Sequence, residues 1–138
     1  MQSDIEVMRY ITGKTTSYEE SLEKLKSWID RYETKTFGWP YAIELKGTNE
    51  FVGVCGIIED NEIGYRFLQS VWGRGYGTEI LDGLVQFSKS LGLKKIIAEV
   101  IIDNKASFNI LKKAGFVIKD QRICEDTQLQ EYLMQLEL

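Results

Sequence analysis

The sequence predicts an α/β (α+β) fold, a single domain over residues 1–138 in which helices cover a mixed central sheet. Between residues 41 and 69, apolar segments alternate with short turn sequences, which predicts three consecutive antiparallel strands. Around residue 75, a glycine-rich turn joins a strand to an amphipathic helix, as in a parallel strand–helix–strand unit. The chain has 138 residues, enough for one hydrophobic core but too few for two.

Composition and charge exclude several classes of function. Apolar residues make up 43% of the chain and charged residues 28%, an ordinary balance for a soluble globular protein. The net charge of −4 argues against nucleic-acid or membrane-surface binding, which usually needs a basic patch. No apolar run approaches membrane-spanning length, and residues 1–4 begin no signal peptide, so we expect a cytoplasmic protein.

Histidine is absent from the sequence. This absence removes Ser-His-Asp hydrolases, Cys-His proteases and most transition-metal sites, so we expect no metal. Cys55 and Cys124 are far apart in predicted strands and lack metal-ligand spacing, and we expect both to be reduced, buried residues of a cytoplasmic protein. Acid–base chemistry must therefore come from carboxylates, tyrosines, hydroxyls, lysines or ordered water.

The first third of the chain predicts two helices and a strand. Residues 4–11 predict a short helix with four apolar residues facing inward: Ile5, Val7, Met8 and Ile11. Ser17 and Glu20 have capping-box spacing ahead of a helix over 18–33. The apolar residues of that helix recur at helical intervals: Leu22, Leu25, Trp28, Ile29 and Tyr32. Pro40 lies near the start of a strand over 37–46, where its missing N–H is tolerated.

The remaining elements alternate between strands and helices. They are strands over 51–58 and 62–69, a helix from the glycine-rich turn to Gly92, a strand over 96–102, a helix from Asn104 to Gly115, and strands over 116–124 and 129–138. The strand over 96–102 is apolar on both faces apart from Glu99, as a covered strand should be. The acidic turn Glu125–Asp126 joins the two closing strands.

The stretch from Val71 to Glu79 organises the rest of the chain. Its three glycines alternate with larger residues, so the backbone can turn tightly and approach a ligand closely. The helix that follows directs unpaired N–H groups and its positive dipole end at this turn. That arrangement binds anions, most simply a phosphate or pyrophosphate. It is not a Walker A loop, because no Gly-Lys-Ser/Thr follows, and Thr78 stands where a dinucleotide fingerprint needs a third glycine.

Several segments together resemble one known family. They are Val7–Gly13, Glu62–Arg66, Trp72–Glu79, Asn104–Ser107 and Lys113–Phe116. The resemblance is to the GCN5-related N-acetyltransferases (GNAT), and more narrowly to the branch with the Rim-type ribosomal-protein N-acetyltransferases and the spermidine acetyltransferases. It covers nearly the whole chain. It implies a GNAT fold, acetyl-CoA as acetyl donor, and direct transfer to a primary amine without a covalent enzyme intermediate.

The resemblance also implies which residues bind acetyl-CoA. The family's loop pattern is Gln/Arg-x-x-Gly-x-Gly/Ala, and Trp72 stands here at its first position. The residues expected to hold the pyrophosphate through backbone N–H groups are Arg74, Gly75, Tyr76, Gly77 and Thr78. Backbone groups of Phe67 and Leu68 would pair with the pantetheine arm as an added strand. Asn104 and Ser107 match positions beside the pantetheine and the thioester sulfur.

Three of these residues also have plain structural interpretations. Asn104 has the position of a helix N-cap. Ser107 has that of an ordinary hydroxyl on a helix surface, and Arg74 that of a solvated charge. The residues alone leave both interpretations open.

The chain departs from the family pattern at two places. Many acetyltransferases carry a tyrosine four residues before the Gly-Phe pair, as the acid for the leaving thiolate, and here that position is Leu111. We expect Ser107, or a water that it holds, to replace it. Relatives also begin with a further strand, so the first strand is expected to be missing. The strand near Tyr41–Leu45 would then present unpaired edge groups, and we expect a second copy to cover them in a homodimer, or a rearranged N-terminal segment.

The base that accepts the amine proton has three candidate positions. Glu62, which we expect to be catalytic together with Ser107, begins the strand beside the expected thioester. Glu99 lies among apolar residues, where an unpaired carboxylate is costly. The Glu125–Asp126 turn falls where Rim-type relatives place a carboxylate near the substrate. Each candidate also has a structural interpretation: Glu62 as a charge in a hairpin turn, Glu99 as a salt-bridged residue, and Glu125–Asp126 as an exposed acidic loop. The sequence does not rank the three candidates.

The function expected from the sequence is therefore an acetyl-CoA-dependent N-acetyltransferase. Its acceptor is a primary amine: a protein N-terminus, a polyamine or another small amine. The alternative is a non-catalytic module that binds acyl-CoA, which Leu111 and the missing strand favour.

Overall fold

The protein has a mixed α/β architecture, as the sequence predicts. The computed structural model describes residues 1–32 and 39–138, with backbone only at 31 and 32. Its helices are α1 Ile5–Met8, α2 Tyr18–Tyr32, α3 Tyr76–Ser90 and α4 Lys105–Lys113. Its strands are β1 Tyr41–Glu44, β2 Phe51–Ile57, β3 Ile63–Phe67, β4 Lys95–Ile101, β5 Val117–Ile123 and β6 Gln130–Glu137. The predicted helix end at 33 and the first residues of the predicted strand over 37–46 lie outside the described residues.

The strands form two antiparallel sheets instead of one continuous mixed sheet. One sheet has the order β1-β2-β3 and the other the order β4-β6-β5. Within the described chain they are joined by a single parallel bridge, between Glu62 and Ile97. The parallel pairing expected between β3 and β4 is thus confined to one point. Beyond the bridge the two strands are not paired, which leaves an opening between the sheets.

The core lies between the sheets and the helices α3 and α4. Its fully buried side chains come from both sheets and both helices and include Ile57, Leu81, Ile96, Leu111 and Met134. A smaller cluster of Ile43, Val52 and Val71 lies beside it. Amphipathic helices bury their apolar stripes in this way because removing apolar surface from water is the main stabilising term in folding.

Strand β3 has two faces with different neighbours. Tyr65 belongs to the side that packs on the helical core, together with Ile63. Gly64 and Arg66 belong to the other side, where the Trp39 ring lies 5.9 Å from the Arg66 guanidinium carbon. We call the first side the helix face and the second side, with Glu62, Gly64 and Arg66, the far face. Alternation along a strand fixes this division.

The N-terminal helices are formed as predicted but are buried less than predicted. The Ser17 N–H donates to Glu20 Oε2 at 2.9 Å and the Glu20 N–H donates to Ser17 Oγ at 3.2 Å, which confirms the capping box. The prediction that Ile5 faces inward is wrong, because 52% of it is exposed. Leu25 and Ile29 on α2 are also about half exposed. Periodicity identifies an apolar face but does not say what covers it.

Some features at the ends and edges of the sheets also differ from the predictions. Strand β3 is shorter than the predicted strand over 62–69, because a 3₁₀ turn takes over at Gln69–Val71. Every residue of β5 is exposed. Cys55 and Cys124 are both free thiols, but both are partly exposed, so the prediction that they are buried is wrong. Among the described residues, no helix is long and apolar enough to cross a membrane.

Candidate active site

The opening between β3 and β4 exposes one backbone edge of β3. The Leu68 N–H donates to Val52 O at 2.9 Å and the Ile58 N–H donates to Glu62 O at 2.6 Å, so the even-numbered residues of this segment bond to β2. In an antiparallel ladder the groups alternate, and those of Tyr65 and Phe67 therefore point into the opening. An extended ligand can pair with them as an added strand.

Leu68 does not fit the role expected for its backbone. Its N–H is bonded to Val52, and its C=O accepts from the Val71 N–H at 3.2 Å. Phe67 fits better, although its C=O already accepts from the Trp72 indole at 3.2 Å. The edge available to a pantetheine arm is thus formed by Tyr65 and Phe67, the two residues before Leu68 whose backbone groups point away from β2.

The glycine-rich loop ends where α3 begins. Gly73 and Gly75 have φ angles of 75° and 82°, a conformation that glycine adopts without a steric cost. A Cβ atom at either position would meet nothing within 4 Å. No side chain caps the N-terminus of α3, and within the described residues no acceptor bonds the N–H groups of residues 74–78. These donors, with the helix dipole, form an anion site.

Gly77 has a different role from the other two loop glycines. It lies inside the first turn of α3. A Cβ atom there would lie 3.0 Å from Ile110 Cδ1 and 4.0 Å from Tyr65 Cε2. The small residue therefore allows α3 to pack closely on α4 and on β3. A larger residue at this position would disturb the core as well as any bound phosphate.

Ser107 and Tyr65 meet across the opening. Their hydroxyl oxygens are 2.8 Å apart in a hydrogen bond that either can donate. Burial raises the pKa of the Tyr65 phenol, and the bond to Ser107 lowers it in part. A phenol with a raised pKa stays protonated, so Tyr65 can supply a proton through or beside Ser107. Tyr65 lies in the segment Glu62–Arg66 that resembles the family, but no role was predicted for it. The sequence signal that could have identified it is its alternation with Phe67 along the strand.

Asn104 and Leu111 have structural roles in α4. Asn104 is the N-cap, and its Oδ1 accepts from the Ser107 N–H at 3.3 Å, which confirms the structural interpretation and orients Ser107. Leu111, at the family's tyrosine position, is only 2% exposed in the core. The hydroxyl of Tyr65, which comes from β3 instead of α4, lies beside that of Ser107.

Glu62 lies at the closed end of the opening, where the bridge to Ile97 joins the sheets. Its pKa is raised to about 7, first by burial and then by the charge of Glu99, while Arg122 acts in the opposite direction. A carboxylate with a pKa near 7 is suited to general-base catalysis at neutral pH. Among the expected carboxylates, Glu62 has both a raised pKa and a position at the opening.

The other candidate bases are held differently. Arg122 donates from Nε to Glu131 at 3.0 Å and from Nη2 to Glu99. This ion pair confirms the salt-bridge interpretation of Glu99 and satisfies Glu131, which is only 5% exposed. Glu125 and Asp126 are exposed in the turn between β5 and β6. The ion-paired cluster surrounds Glu62 with negative charge.

The features of the opening fit acetyl-CoA. Unpaired N–H groups suit a pyrophosphate, the free edge of β3 suits an extended amide-containing arm, and the hydroxyl pair lies where the arm would end. Among the described residues, no group of histidine, cysteine or acidic side chains is arranged to hold a metal ion.

Comparison with known proteins agrees with this geometry. Residues 1–117 match the acetyltransferase (GNAT) domain. The chain is 32% identical over 122 residues to the uncharacterised N-acetyltransferase YoaA of Bacillus subtilis, covering 83% of this chain and 68% of that protein. It is 29% identical to the uncharacterised N-acetyltransferase p20 of Bacillus licheniformis, covering 97% of this chain and 82% of that protein.

Solved structures show the same fold. The spermidine N-acetyltransferase of Vibrio cholerae in complex with CoA and spermine superposes with a TM-score of 0.82 at 16% identity, covering 99% of this chain and 85% of that chain. The ribosomal-protein-S5-alanine acetyltransferase of Vibrio fischeri has a TM-score of 0.79 at 14% identity, covering 99% and 82%. Both types were expected from the resemblance. The chain therefore belongs to the GNAT family of acetyl-CoA-dependent acetyltransferases.

Proposed function

We propose that this enzyme transfers the acetyl group of acetyl-CoA directly to a small primary amine, with Glu62 as the general base and the Ser107–Tyr65 pair as the general acid. The observation that carries the proposal is the placement of these groups. Glu62, with a pKa of about 7, lies at the closed end of the opening, and the two hydroxyls, 2.8 Å apart, span it.

Glu62 accepts the proton that the acceptor amine must lose. A free alkyl amine has a pKa near 10, so it enters mostly as an ammonium ion, and only the neutral amine attacks a carbonyl carbon. A carboxylate whose pKa is about 7 accepts this proton more readily than one at the ordinary value. Glu99 and Glu131 favour the approach of a cation by their negative charge. The proton passes to Glu62 directly or through an ordered water.

The Ser107–Tyr65 pair supplies the proton that the leaving thiolate gains. Acetyl-CoA supplies an activated thioester, and CoA leaves as a thiolate. A thiol has a pKa of about 8.5, so the thiolate needs only modest assistance. The Asn104 side chain holds the Ser107 backbone, and Tyr65 fixes the direction of the Ser107 hydroxyl. A proton can therefore move from the pair to the sulfur without any covalent enzyme intermediate.

The free edge of β3 stabilises the negative charge that develops on the thioester oxygen. The N–H groups of Tyr65 and Phe67 point into the opening and are already ordered by the sheet. Fixed donors of this kind stabilise an oxyanion because they need no reorganisation when the charge appears.

The acceptor class is supported by charge and by the relatives. Spermidine, spermine and a ribosomal-protein alanine appear in the names of the structural neighbours, and all present an amine. The acidic side chains around Glu62 favour an acceptor that is positively charged at its amine. We therefore propose a small molecule with a primary amino group.

The test is release of thiol from acetyl-CoA in the presence of a panel of primary amines. We expect turnover with at least one amine, and a loss of about 10²–10⁴-fold in kcat for Glu62→Gln with little change in acetyl-CoA affinity. A Glu125→Gln variant is the matched control because that carboxylate lies in the exposed turn. Tight acetyl-CoA binding without turnover on any amine would favour the acyl-CoA-binding module instead.

A further inference from the structure

Arg66 is a partly buried cation that the proposed reaction does not use. Two of its guanidinium nitrogens, Nε and Nη1, are buried and have no hydrogen-bond partner. Among the described residues, none forms an ion pair with it. Buried polar atoms in folded proteins are nearly always bonded, so an exception needs a physical explanation.

The surroundings of Arg66 are apolar and do not neutralise it. Arg66 lies directly opposite Val54 on the neighbouring strand, and Val54 is 7% exposed. Gly64, two residues earlier on the same face, leaves the space that Trp39 occupies, since a Cβ there would lie 3.2 Å from the ring. The Trp39 ring attracts the guanidinium but offers it no acceptor oxygen.

A guanidinium in such a place is unfavourable for the free protein. Burial lowers the pKa of Arg66, and no neighbouring carboxylate raises it. Arginine nevertheless stays protonated in proteins, so the charge remains and is poorly solvated. A buried ion pair with one partner missing is strongly destabilising. An oxyanion that arrives with a ligand would supply the missing partner, and a guanidinium binds carboxylates and phosphates through two parallel bonds.

We propose that Arg66, supported by Trp39, forms an oxyanion subsite on the far face, and that the acceptor is a primary amine that also carries a carboxylate or phosphate group. The assignment to the acceptor rests on the proposed function. Glu62 receives the amine and Arg66 receives the oxyanion, and both lie on the far face of β3. An acceptor that binds to both Glu62 and Arg66 is zwitterionic, and this distinguishes it from a simple polyamine.

The spacing of the two residues limits the size of the acceptor. Arg66 lies four positions after Glu62, which is about 13 Å between Cα positions at roughly 3.3 Å per residue. The two long side chains can shorten this span, so an amine and an oxyanion a few bonds apart are compatible with it. An open cavity of about 430 Å³ is lined by Asp4, Leu68, Gln69 and Ser70, three of which follow Arg66 closely in the chain. The Asp4 carboxylate is already the N-cap of α1.

The first experiment compares matched amines on the wild-type enzyme and needs no variant. One pair is 5-aminopentanoate and pentylamine, and the other is O-phosphoethanolamine and ethanolamine. Thiol release is measured for each at several concentrations. We expect the anionic member of at least one pair to have kcat/KM higher by about tenfold or more, as a charge-assisted bidentate contact provides. The pair that shows the difference identifies a carboxylate or a phosphate.

The second experiment tests Arg66 itself. Arg66→Met removes the charge but keeps the length of the side chain, and Lys89→Met removes the same charge at the exposed end of α3. We expect Arg66→Met to abolish the preference for the anionic amine, so that the two members of the pair have nearly equal kcat/KM in this variant. Lys89→Met should keep the preference. Pentanoate, which has no amine, should raise the melting temperature of the wild type but not of Arg66→Met.

The outcomes separate this inference from the proposed function. Equal kcat/KM for both members of both pairs would overturn the subsite. A preference that survives in Arg66→Met would also overturn it. If no amine releases thiol but pentanoate stabilises the wild type and not Arg66→Met, the subsite stands and the proposed acetyl transfer fails. If Arg66→Met instead loses a preference for succinyl-CoA over acetyl-CoA, the oxyanion belongs to the acyl donor and the assignment to the acceptor is wrong.

Discussion

At the scale of single residues, Glu62 is governed by its neighbours. Burial and the charge of Glu99 raise its pKa, and the charge of Arg122 lowers it, with a balance of about 7. Glu99 and Arg122 are bonded to each other, so they act on Glu62 with opposite signs from nearly the same place. This arrangement makes the ionisation of the base testable by charge removal.

We predict that Glu99→Gln and Arg122→Gln move the pH profile of kcat/KM in opposite directions. Activity needs ionised Glu62, so it should rise with pH through about 7 in the wild type. Removing Glu99 lowers the pKa of Glu62 and moves the rising limb to lower pH, whereas removing Arg122 moves it to higher pH. Because the three profiles are measured with the same acceptor, the ionisation of its amine affects all of them equally. Coincident limbs in all three proteins would contradict Glu62 as the base.

Glu62 should also make stability depend on pH. Its pKa is raised from 4.5 to about 7 by folding, so between these values the folded state binds more protons than the unfolded state. The free energy of unfolding contributed by Glu62 therefore falls as pH rises through this window. We predict that Glu62→Gln has a higher melting temperature than the wild type at pH 8 and little difference at pH 4. Calorimetry at the two pH values checks this, and a larger gain at pH 4 would refute it.

Ser107 and Tyr65 act together, and their substitution should affect the chemical step. We predict that Ser107→Ala lowers kcat by about tenfold to a hundredfold, the low end of general-acid effects, and raises the KM for acetyl-CoA less. Tyr65→Phe should cost a similar factor if the phenol is the proton source. The control is Asn109→Ala, an exposed position on the same helix. Unchanged kcat in Ser107→Ala, with chemistry shown to limit the rate, would return Ser107 to a structural role.

At the scale of elements, the N-terminus of α3 is the main binding device. Its free N–H groups can hold a pyrophosphate only if the approach stays open and uncharged. Substituting Gly77 is a poor test of this idea, because a side chain there would meet Ile110 in the core. Thr78 is a better position, since it is exposed in the same turn.

We predict that Thr78→Glu abolishes CoA binding while the protein remains folded. A glutamate in the first turn stabilises a helix through its dipole, but it repels a pyrophosphate at the same place. Thr78→Gln has nearly the same shape without the charge and should keep most of the affinity. Calorimetric titration with CoA measures both. Equal affinities for the two variants would show that the pyrophosphate does not lie at this helix end.

At the scale of the whole molecule, β1 is the outermost described strand of the first sheet. Strand β1 pairs with β2 on one side, and no other described strand pairs with its outer side. An edge of this kind is a template for a strand from another chain. By the alternation of the ladder, the Ala42 N–H points outward from the sheet.

We predict that the protein is a homodimer joined through β1. Proline tolerates an edge position where its N–H would face outward, so Ala42→Pro should keep the fold and weaken association. Ala42→Val keeps the outward N–H and should remain dimeric. Light scattering at micromolar concentrations measures the mass of each protein. A monomeric wild type over that range would contradict the prediction.

The amino-acid sequence was enough to predict most of the elements, the loop and the family. Capping-box spacing predicted the start of α2, and alternating glycines predicted the anion site ahead of α3, because both depend on local backbone geometry. It also predicted Ser107 and Glu62, since motif residues keep their spacing along the chain. These are features that neighbouring residues decide among themselves.

Only the tertiary structure decided which distant groups meet. It brought Tyr65 to Ser107 from another element, paired Glu99 with Arg122, and left two nitrogens of Arg66 buried without a partner among the described residues. It also showed that the apolar face of α2 stays exposed and that, among the described strands, a single bridge joins the two sheets. Periodicity and spacing define the faces of an element. Burial, pKa and pairing depend on what packs against those faces, and that is set by contacts between residues far apart in the chain.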